Sequence, residues 1–326
     1  MIIHQKMKWI FTAKKFSTTL WKEYMNKIAI KDCDIVFLSY DEPNCEKNYA
    51  ALKQIVPWAK RVHGIHGSDA AHKACAAVSD TEYFLTVDGD TQINPKILDV
   101  ILDLDAMGMD SNWIFSWCGH INVNGLKYGN GSLKLWTRKF VNEMKTHENY
   151  SGADNNEIEF CYFNNLYQFN ENYSTSYINN TPKQAWRAGF REGVKMSLSK
   201  NYRIKHINEL WWQNYHRLLI WMTVGQDLQN GIWAIAGARE GCYRVLCTMW
   251  DYTQVRDFKT LEQLWLSFSN NNTCNEKDAK QKSIILGKEI KDIHALDFPI
   301  EPFDVDNSKF FKKLYHNPPR TIRKTI

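Results

Sequence analysis

Tyr83-Phe84-Leu85-Thr86-Val87-Asp88-Gly89-Asp90 is the stretch on which the fold turns. Five aromatic, branched or apolar residues run without a break and then give way to two carboxylates around a glycine. Such a run predicts a buried strand that delivers two acids at its C-terminal end. Open α/β sheets bind ligands at that end of their strands. Gly89 lets another group come close to the backbone. Two acids with one spacer repel each other when bare, and they offer paired hard oxygens to a divalent cation.

The flanks extend the pattern. Ile35-Val36-Phe37-Leu38, within 34–39, predicts a second buried strand, closed by the loop Tyr40-Asp41-Glu42-Pro43-Asn44. Tyr49, Leu52, Ile55 and Val56 recur near helical spacing over 44–56, and Pro57 stops them. Arg61-Val62-His63 reads as a short strand before the loop Gly64-Ile65-His66-Gly67. The Ala-rich segment 69–78 predicts a helix, Asn94-Pro95 opens another through Leu102, and 113–117 is a further strand. Strand and helix in alternation argue an α/β class with parallel strands. Residues 119–180 are rich in Asn, Gly, Tyr and Phe and suit loops and mixed strands. Helices are expected over 185–198 and 207–223, and 231–238 is apolar and punctuated by Gly. Phe258, Leu261, Leu264, Trp265 and Phe268 give one apolar helix face, which Asn270-Asn271-Asn272 ends. Another helix is expected over 276–293, and from Lys309 onward the chain holds Lys309, Lys312, Lys313, Arg320, Arg323 and Lys324 with no acid.

Composition bounds the function classes. With 326 residues and 44% hydrophobic content the chain can bury a large core, so wholesale disorder is excluded. A net charge of +5 permits an anionic partner without requiring one. The 13 Trp, 15 Tyr and 16 Phe serve stacking on sugars and bases or plain core packing. The densest apolar run, 218–224, stops at Gly225-Gln226-Asp227, so no membrane-spanning helix and no membrane partner are expected. No apolar region with a cleavage site follows Lys6, Lys8, Lys14 and Lys15, so no signal peptide is expected and the location is read as cytoplasmic. Eight cysteines at 33, 45, 75, 118, 161, 242, 247 and 274 form no paired zinc spacing and read as free thiols.

From Asp34 to Asp90 the order is strand, Tyr40-Asp41-Glu42, helix, Gly64–Gly67 loop, Ala-rich helix with His72-Lys73, then the aspartate motif. This order resembles the donor half of nucleotide-sugar glycosyltransferases of the GT-A fold. The resemblance implies an α/β, Rossmann-like mixed sheet flanked by helices. It divides the chain into a transferase domain, 1–250, and a helical extension with a basic tail, 251–326. Within the domain the donor half spans about 30–118 and the acceptor half about 119–250. It also implies a UDP-sugar donor with Mn²⁺ or Mg²⁺ as cofactor. Asp88 then lies near the donor ribose and the metal, Gly89 lies beside the donor, and Asp90 is the metal ligand. Tyr40 and Asp41 lie against the base, with Arg61, His72 and Lys73 near base or phosphate. Arg61 and Lys73 read equally as surface cations, and His72 as a helix filler.

The acceptor half offers three stretches. Gly125 to Ser132 fits a loop over a sugar or pyrophosphate, or an ordinary Gly-rich hairpin. Trp186-Arg187-Ala188-Gly189-Phe190-Arg191-Glu192 through Lys195 concentrates a ring, cations and an acid at the start of a helix, which suits a diphosphate and a sugar. Trp186, Arg187 and Arg191 are thus donor-site candidates. Direct displacement needs a carboxylate to take the acceptor hydroxyl proton. Glu192 is the first candidate, and Asp227 reads as a base or as a turn cap. His206 and His216 could add a metal ligand, as a His does in some relatives, or be structural.

With Thr181 to Arg191 included, the arrangement looks like a subgroup of large tailed bacteriophages. Its members place a sugar, arabinose among them, on 5-hydroxymethylcytosine of phage DNA. That resemblance implies a double-stranded DNA acceptor. Lys195, Lys200, Arg203, Lys205, Lys312 and Lys313 are the candidate phosphate contacts. Trp211, Trp212, Tyr215 and Trp221 could stack on a flipped base or pack the core. The alternative is a cell-surface glycan or lipopolysaccharide acceptor. A nucleotidyltransferase would show a Gly-rich phosphate loop, and 39–44 has no Gly.

Overall fold

The computed structural model describes residues 26–129, 131–146, 158, 163–296 and 300–316. Lys6, Lys8, Lys14, Lys15, Asn130, Cys161, Arg320, Arg323 and Lys324 lie outside the described residues.

The decisive stretch forms the strand Tyr83–Asp88. Phe84, Leu85 and Val87 are buried on both of its faces. It runs parallel to Asp34–Ser39, which in turn pairs in parallel with Lys60–His63. The sheet continues through Leu133–Thr137, Ile114–Ile121, Leu166–Ser176 and Thr91–Ile93, with Lys127–Tyr128 added to Ile114–Ile121. It is mixed, because Leu133–Thr137 lies antiparallel to both of its neighbours. The helices Cys45–Ile55 and Ser68–Val78 follow the first two strands as expected. The sheet and its helices bury two apolar clusters, one centred on Phe37, Leu85 and Trp117 and one on Phe84, Ile114 and Trp136.

One expected helix is absent. After Asn94-Pro95 the chain makes only a 3-10 turn, Pro95–Asp99, and then the strand Ile101–Asp103. That strand pairs with Lys27–Ala29, more than seventy residues away, and branched residues at 100 and 101 favour the extended form.

A layer of helices follows in the chain. It contains Pro182–Met196, Trp212–Thr223, Gly231–Leu246, Phe258–Phe268, Glu276–Ile293 and Val305–Leu314. The first and third of these meet backbone to backbone. A Cβ on Gly189 or Gly193 would run into Ala234 and Ala238, and one on Gly237 or Gly241 into Trp186 and Phe190. Two glycines four residues apart on each helix make that approach possible. The extension is packed into the same core: Trp186 lies against Trp265 and Phe268, and Trp233 against Trp265. Buried Arg239 donates to the carbonyls of Met222 (2.8 Å) and Ser283 (2.7 Å), and so ties three helices together. The Asn270–Asn272 break is made by three consecutive left-handed residues, at φ 48°, 55° and 66°.

Candidate functional site

The C-terminal ends of the parallel strands open into a cleft of about 1530 Å³. Its floor holds Asp88 and Asp90, and the strand-end loop contributes Ser39, Tyr40, Asp41 and Glu42. The helix Ser68–Val78 adds His72, the helix Pro182–Met196 adds Arg187, Arg191, Glu192 and Lys195, and the turn after it adds Lys200. The extension closes one side with Arg256, Phe258 and Lys259.

Gly89 is held tightly. A Cβ there would meet the Glu42 carboxylate and lie 2.9 Å from Ser39 Cβ. Its carbonyl accepts from Asn48 Nδ2 at 3.0 Å. The glycine therefore lets Glu42 fold over the aspartate turn, where the Glu42 carboxylate also accepts from the Tyr40 N–H at 2.8 Å. Three carboxylates converge as a result. Burial pushes the Asp88 carboxyl up to about 7; Lys134 opposes this, and Asp90 and Glu42 add to it. Burial, with Glu42 beside it, pushes Asp90 up to about 6. The Thr91 hydroxyl, donating to Asp90 at 3.0 Å, and Arg187 work in the other direction.

Two half-buried carboxylates whose ionisation is disfavoured form a site short of positive charge, and their hard oxygens suit Mg²⁺ or Mn²⁺. Among the described residues no group of three His, Cys, Asp or Glu side chains could hold a metal ion. A cation on this pair would therefore need further oxygens from its substrate, as Mg²⁺ commonly takes from phosphates.

Glu192 faces the cleft from the other wall. Its Oε2 accepts from the Tyr128 hydroxyl at 2.6 Å, and its Oε1 pairs with Lys195 at 3.2 Å. Trp221 Nε1 donates to the same Tyr128 hydroxyl at 3.2 Å. Burial raises the Glu192 carboxyl, but Lys195 and Tyr128 outweigh it and hold the group below its ordinary value. Arg187 is paired with Asp41 across the cleft at 3.3 Å. Tyr40, expected beside a base, is 41% exposed, with its ring edge-on to His66. His72 is buried, its Nδ1 donates to the Ser68 carbonyl (2.8 Å), and its ring packs on Trp136.

Several expected site residues lie elsewhere. Trp186 is fully buried and stacks on Phe190 at 4.9 Å, so it is core and not a donor contact. On a helix, 187, 191 and 195 share one face, and 186, 190 and 194 turn away from it. Arg61 forms two hydrogen bonds to Glu46 and lies over the Tyr49 ring, outside the cleft lining. Lys73, next to His72, does not line the cleft either. The Asp227 side chain is 7% exposed and paired with Lys312 at 2.5 Å, away from the aspartates. It therefore anchors the Val305–Leu314 helix and is not placed to act as a base. Lys312 is for the same reason a poor phosphate contact. His206 caps the turn Ile207–Glu209, and its ring packs on His294 instead of the aspartates. Arg203 donates to the carbonyls of Thr248 and Trp250. Lys205 and Lys313 are exposed but off the cleft lining. Trp221 is core, whereas Trp211 lines the cleft.

Sequence reasoning missed Glu42, Lys134, Arg217 and Phe258. Lys134 was findable: it is a lone cation in Leu133-Lys134-Leu135-Trp136, and the strand buries it beside Asp88.

No protein-family model matches this sequence. No curated protein matches it either. Among solved structures, a glycosyltransferase involved in glycosylation of the major capsid of PBCV-1 is similar over 45% of this chain and 94% of its own, with 11% identity and a TM-score of 0.28. HddC from Yersinia pseudotuberculosis is similar over 41% of this chain and 68% of its own, with 16% identity and a TM-score of 0.23. Likeness at that level assigns no residue a role, and the site rests on its own geometry.

Proposed function

We propose that this chain is a metal-dependent glycosyltransferase of the GT-A type, taking a sugar from a UDP-sugar. The acceptor we propose is the hydroxymethyl group of 5-hydroxymethylcytosine in double-stranded phage DNA, with arabinose a candidate sugar. The observation that carries the reading is the placement of Asp88 and Asp90 at the end of a buried parallel strand, across one cleft from Arg187 and Arg191. Carboxylates on one wall and guanidiniums on the other suit a cation-bound diphosphate between them.

A cation on Asp88 and Asp90 would neutralise the diphosphate and improve it as a leaving group. Arg187 and Arg191 would hold the phosphate oxygens from the opposite side. Tyr40 and Asp41, on the cleft lining, are the residues we assign to the nucleoside. Glu192, kept ionised by Lys195 and Tyr128, is the carboxylate we assign to accept the acceptor hydroxyl proton. The hydroxyl oxygen then bonds to the sugar carbon as that carbon's bond to the diphosphate breaks, with inversion.

The DNA acceptor is supported by the cleft itself. At about 1530 Å³ it exceeds the roughly 300–1,000 Å³ of ordinary small-molecule sites, and Lys195, Lys200, Arg217 and Lys259 stand on its walls. The test supplies radiolabelled UDP-sugars and Mn²⁺ with duplexes that do or do not contain 5-hydroxymethylcytosine, and with lipopolysaccharide. Label on the modified duplex alone, lost in Asp90→Ala, supports the reading. Label on lipopolysaccharide alone keeps the enzyme class and overturns the acceptor. No transfer from any UDP-sugar to any of them overturns both.

A further inference from the structure

The segment that follows residue 250 does more than cover the core. Phe258 begins the helix Phe258–Phe268 and is 42% exposed, at the edge of the cleft. The Arg187 guanidinium lies 5.2 Å from the centre of its ring and that of Arg191 lies 5.7 Å away. Both distances fall within the range of an attractive cation–ring contact. The two arginines are four residues apart on one helix face, so a single ring can serve both. Arg256 and Lys259, on either side of Phe258 in the chain, line the same cleft. The carboxylates of Asp88 and Asp90 sense Arg191 and Arg187 respectively.

An arginine side chain has several rotatable bonds, and fixing it on a ligand costs entropy. A ring that already holds the guanidinium removes part of that cost before the ligand arrives. Asp41 supplies a second restraint on Arg187, at 3.3 Å. The position of Phe258 is fixed independently of the cleft. Asp257 caps its helix by accepting from Lys259 N (3.0 Å) and Thr260 N (3.2 Å). Glu262 pairs with Lys183, and Trp265 and Phe268 are packed on Trp186.

We propose that Phe258 is a positioning residue of a diphosphate subsite shared by the helix Pro182–Met196 and the segment 253–262. It holds Arg187 and Arg191 in the orientation that meets the phosphates. The proposal deepens the donor reading above and rests on it. It makes the segment after residue 250 part of the donor site.

The test is isothermal titration of the full chain with UDP and with inorganic pyrophosphate, each with Mn²⁺. Phe258→Ala, Phe258→Leu and Phe258→Tyr are compared with the unaltered chain, and melting temperatures are taken alongside. Two surface-level cation–ring contacts predict affinity losses of roughly five- to thirty-fold in Phe258→Ala for both ligands. Phe258→Tyr should restore binding, and Phe258→Leu, which keeps bulk without the ring, should not. Melting temperatures should stay within a few degrees, since the ring is half exposed. Equal affinity in all four chains overturns the role of Phe258 and leaves the donor site standing, as does full rescue by Leu. Failure of the unaltered chain to bind either ligand overturns the donor reading together with the subsite.

Discussion

Replacing Asp88 by Asn should stabilise the metal-free protein above neutral pH. The folded chain holds this carboxyl at about 7, up from 3.8, with burial the largest cause. The sign follows from linkage. A carboxyl that is harder to ionise in the folded state binds more protons there than in the unfolded chain, so stability falls as pH rises from about 4 to about 7. Above that window the ionised group is a standing cost. At about 1.4 kcal/mol per pH unit, the rise from 3.8 to about 7 corresponds to roughly 4 kcal/mol. The cleft is open to water, so about half of that is a sounder expectation. Asn keeps the shape and cannot ionise. Asp88→Asn should therefore melt several degrees above the unaltered chain at pH 8, given that about 1 kcal/mol moves the melting temperature by 2–4 °C in a chain of 150–250 residues. The gap should close as pH falls toward 4.5. Added Mn²⁺ should reverse the order, raising the melting temperature of the unaltered chain and leaving the variant unmoved. The assay is differential scanning fluorimetry over pH 4.5–8.5 with and without Mn²⁺. A variant that melts at or below the unaltered chain at pH 8 would refute the claim that these carboxylates are strained by burial and mutual repulsion.

Other outcomes follow from the same geometry. Trp186→Ala should lose about 3–5 kcal/mol of stability, read by denaturant unfolding, because its ring is core; near-native stability with weakened UDP binding would return it to the donor site. Glu192→Gln should keep the fold and the donor affinity, since an amide oxygen still accepts from Tyr128, while turnover falls by roughly a hundredfold or more, measured with saturating donor and acceptor. Arg203→Ala should cost about 1–3 kcal/mol through its lost carbonyl bonds and leave the salt dependence of DNA binding unchanged. Lys200→Ala should do the opposite, flattening the slope of log affinity against log salt by close to one charge.

Much of the frame was legible in the sequence, because its signals are local. The runs 34–39 and 83–87 are too apolar to be anything but buried, and the Ala-rich 69–78 and the face from Phe258 to Phe268 carry clean helical spacing. The structure places each within a residue or two of expectation. The helix expected after Asn94-Pro95 failed because the partner of Ile101–Asp103 is a strand near residue 28, which no local pattern announces. Asp88, Asp90, Arg187, Arg191 and Glu192 line one cleft, since a strand end and a helix face fix them there. Trp186 was misread by taking a dense stretch as a unit when the 3.6-residue period turns it away from the face that carries Arg187 and Arg191. Asp227, Arg203 and Lys312 were misread for a different reason. Each is satisfied by a partner 45 to 85 residues away in the chain, and a long-range pair of that kind leaves no trace in spacing. The Gly189/Gly193 and Gly237/Gly241 spacings were visible, but only the packed helices show that they face each other.

The central claim is that Asp88 and Asp90 hold the cation of a nucleotide-sugar donor. Anomalous diffraction from a crystal soaked with UDP and Mn²⁺ tests it most directly. The account predicts a manganese peak at the Asp88 and Asp90 carboxylates, with the diphosphate between it and Arg187 and Arg191. A manganese peak elsewhere, or UDP bound away from these four residues, would contradict it.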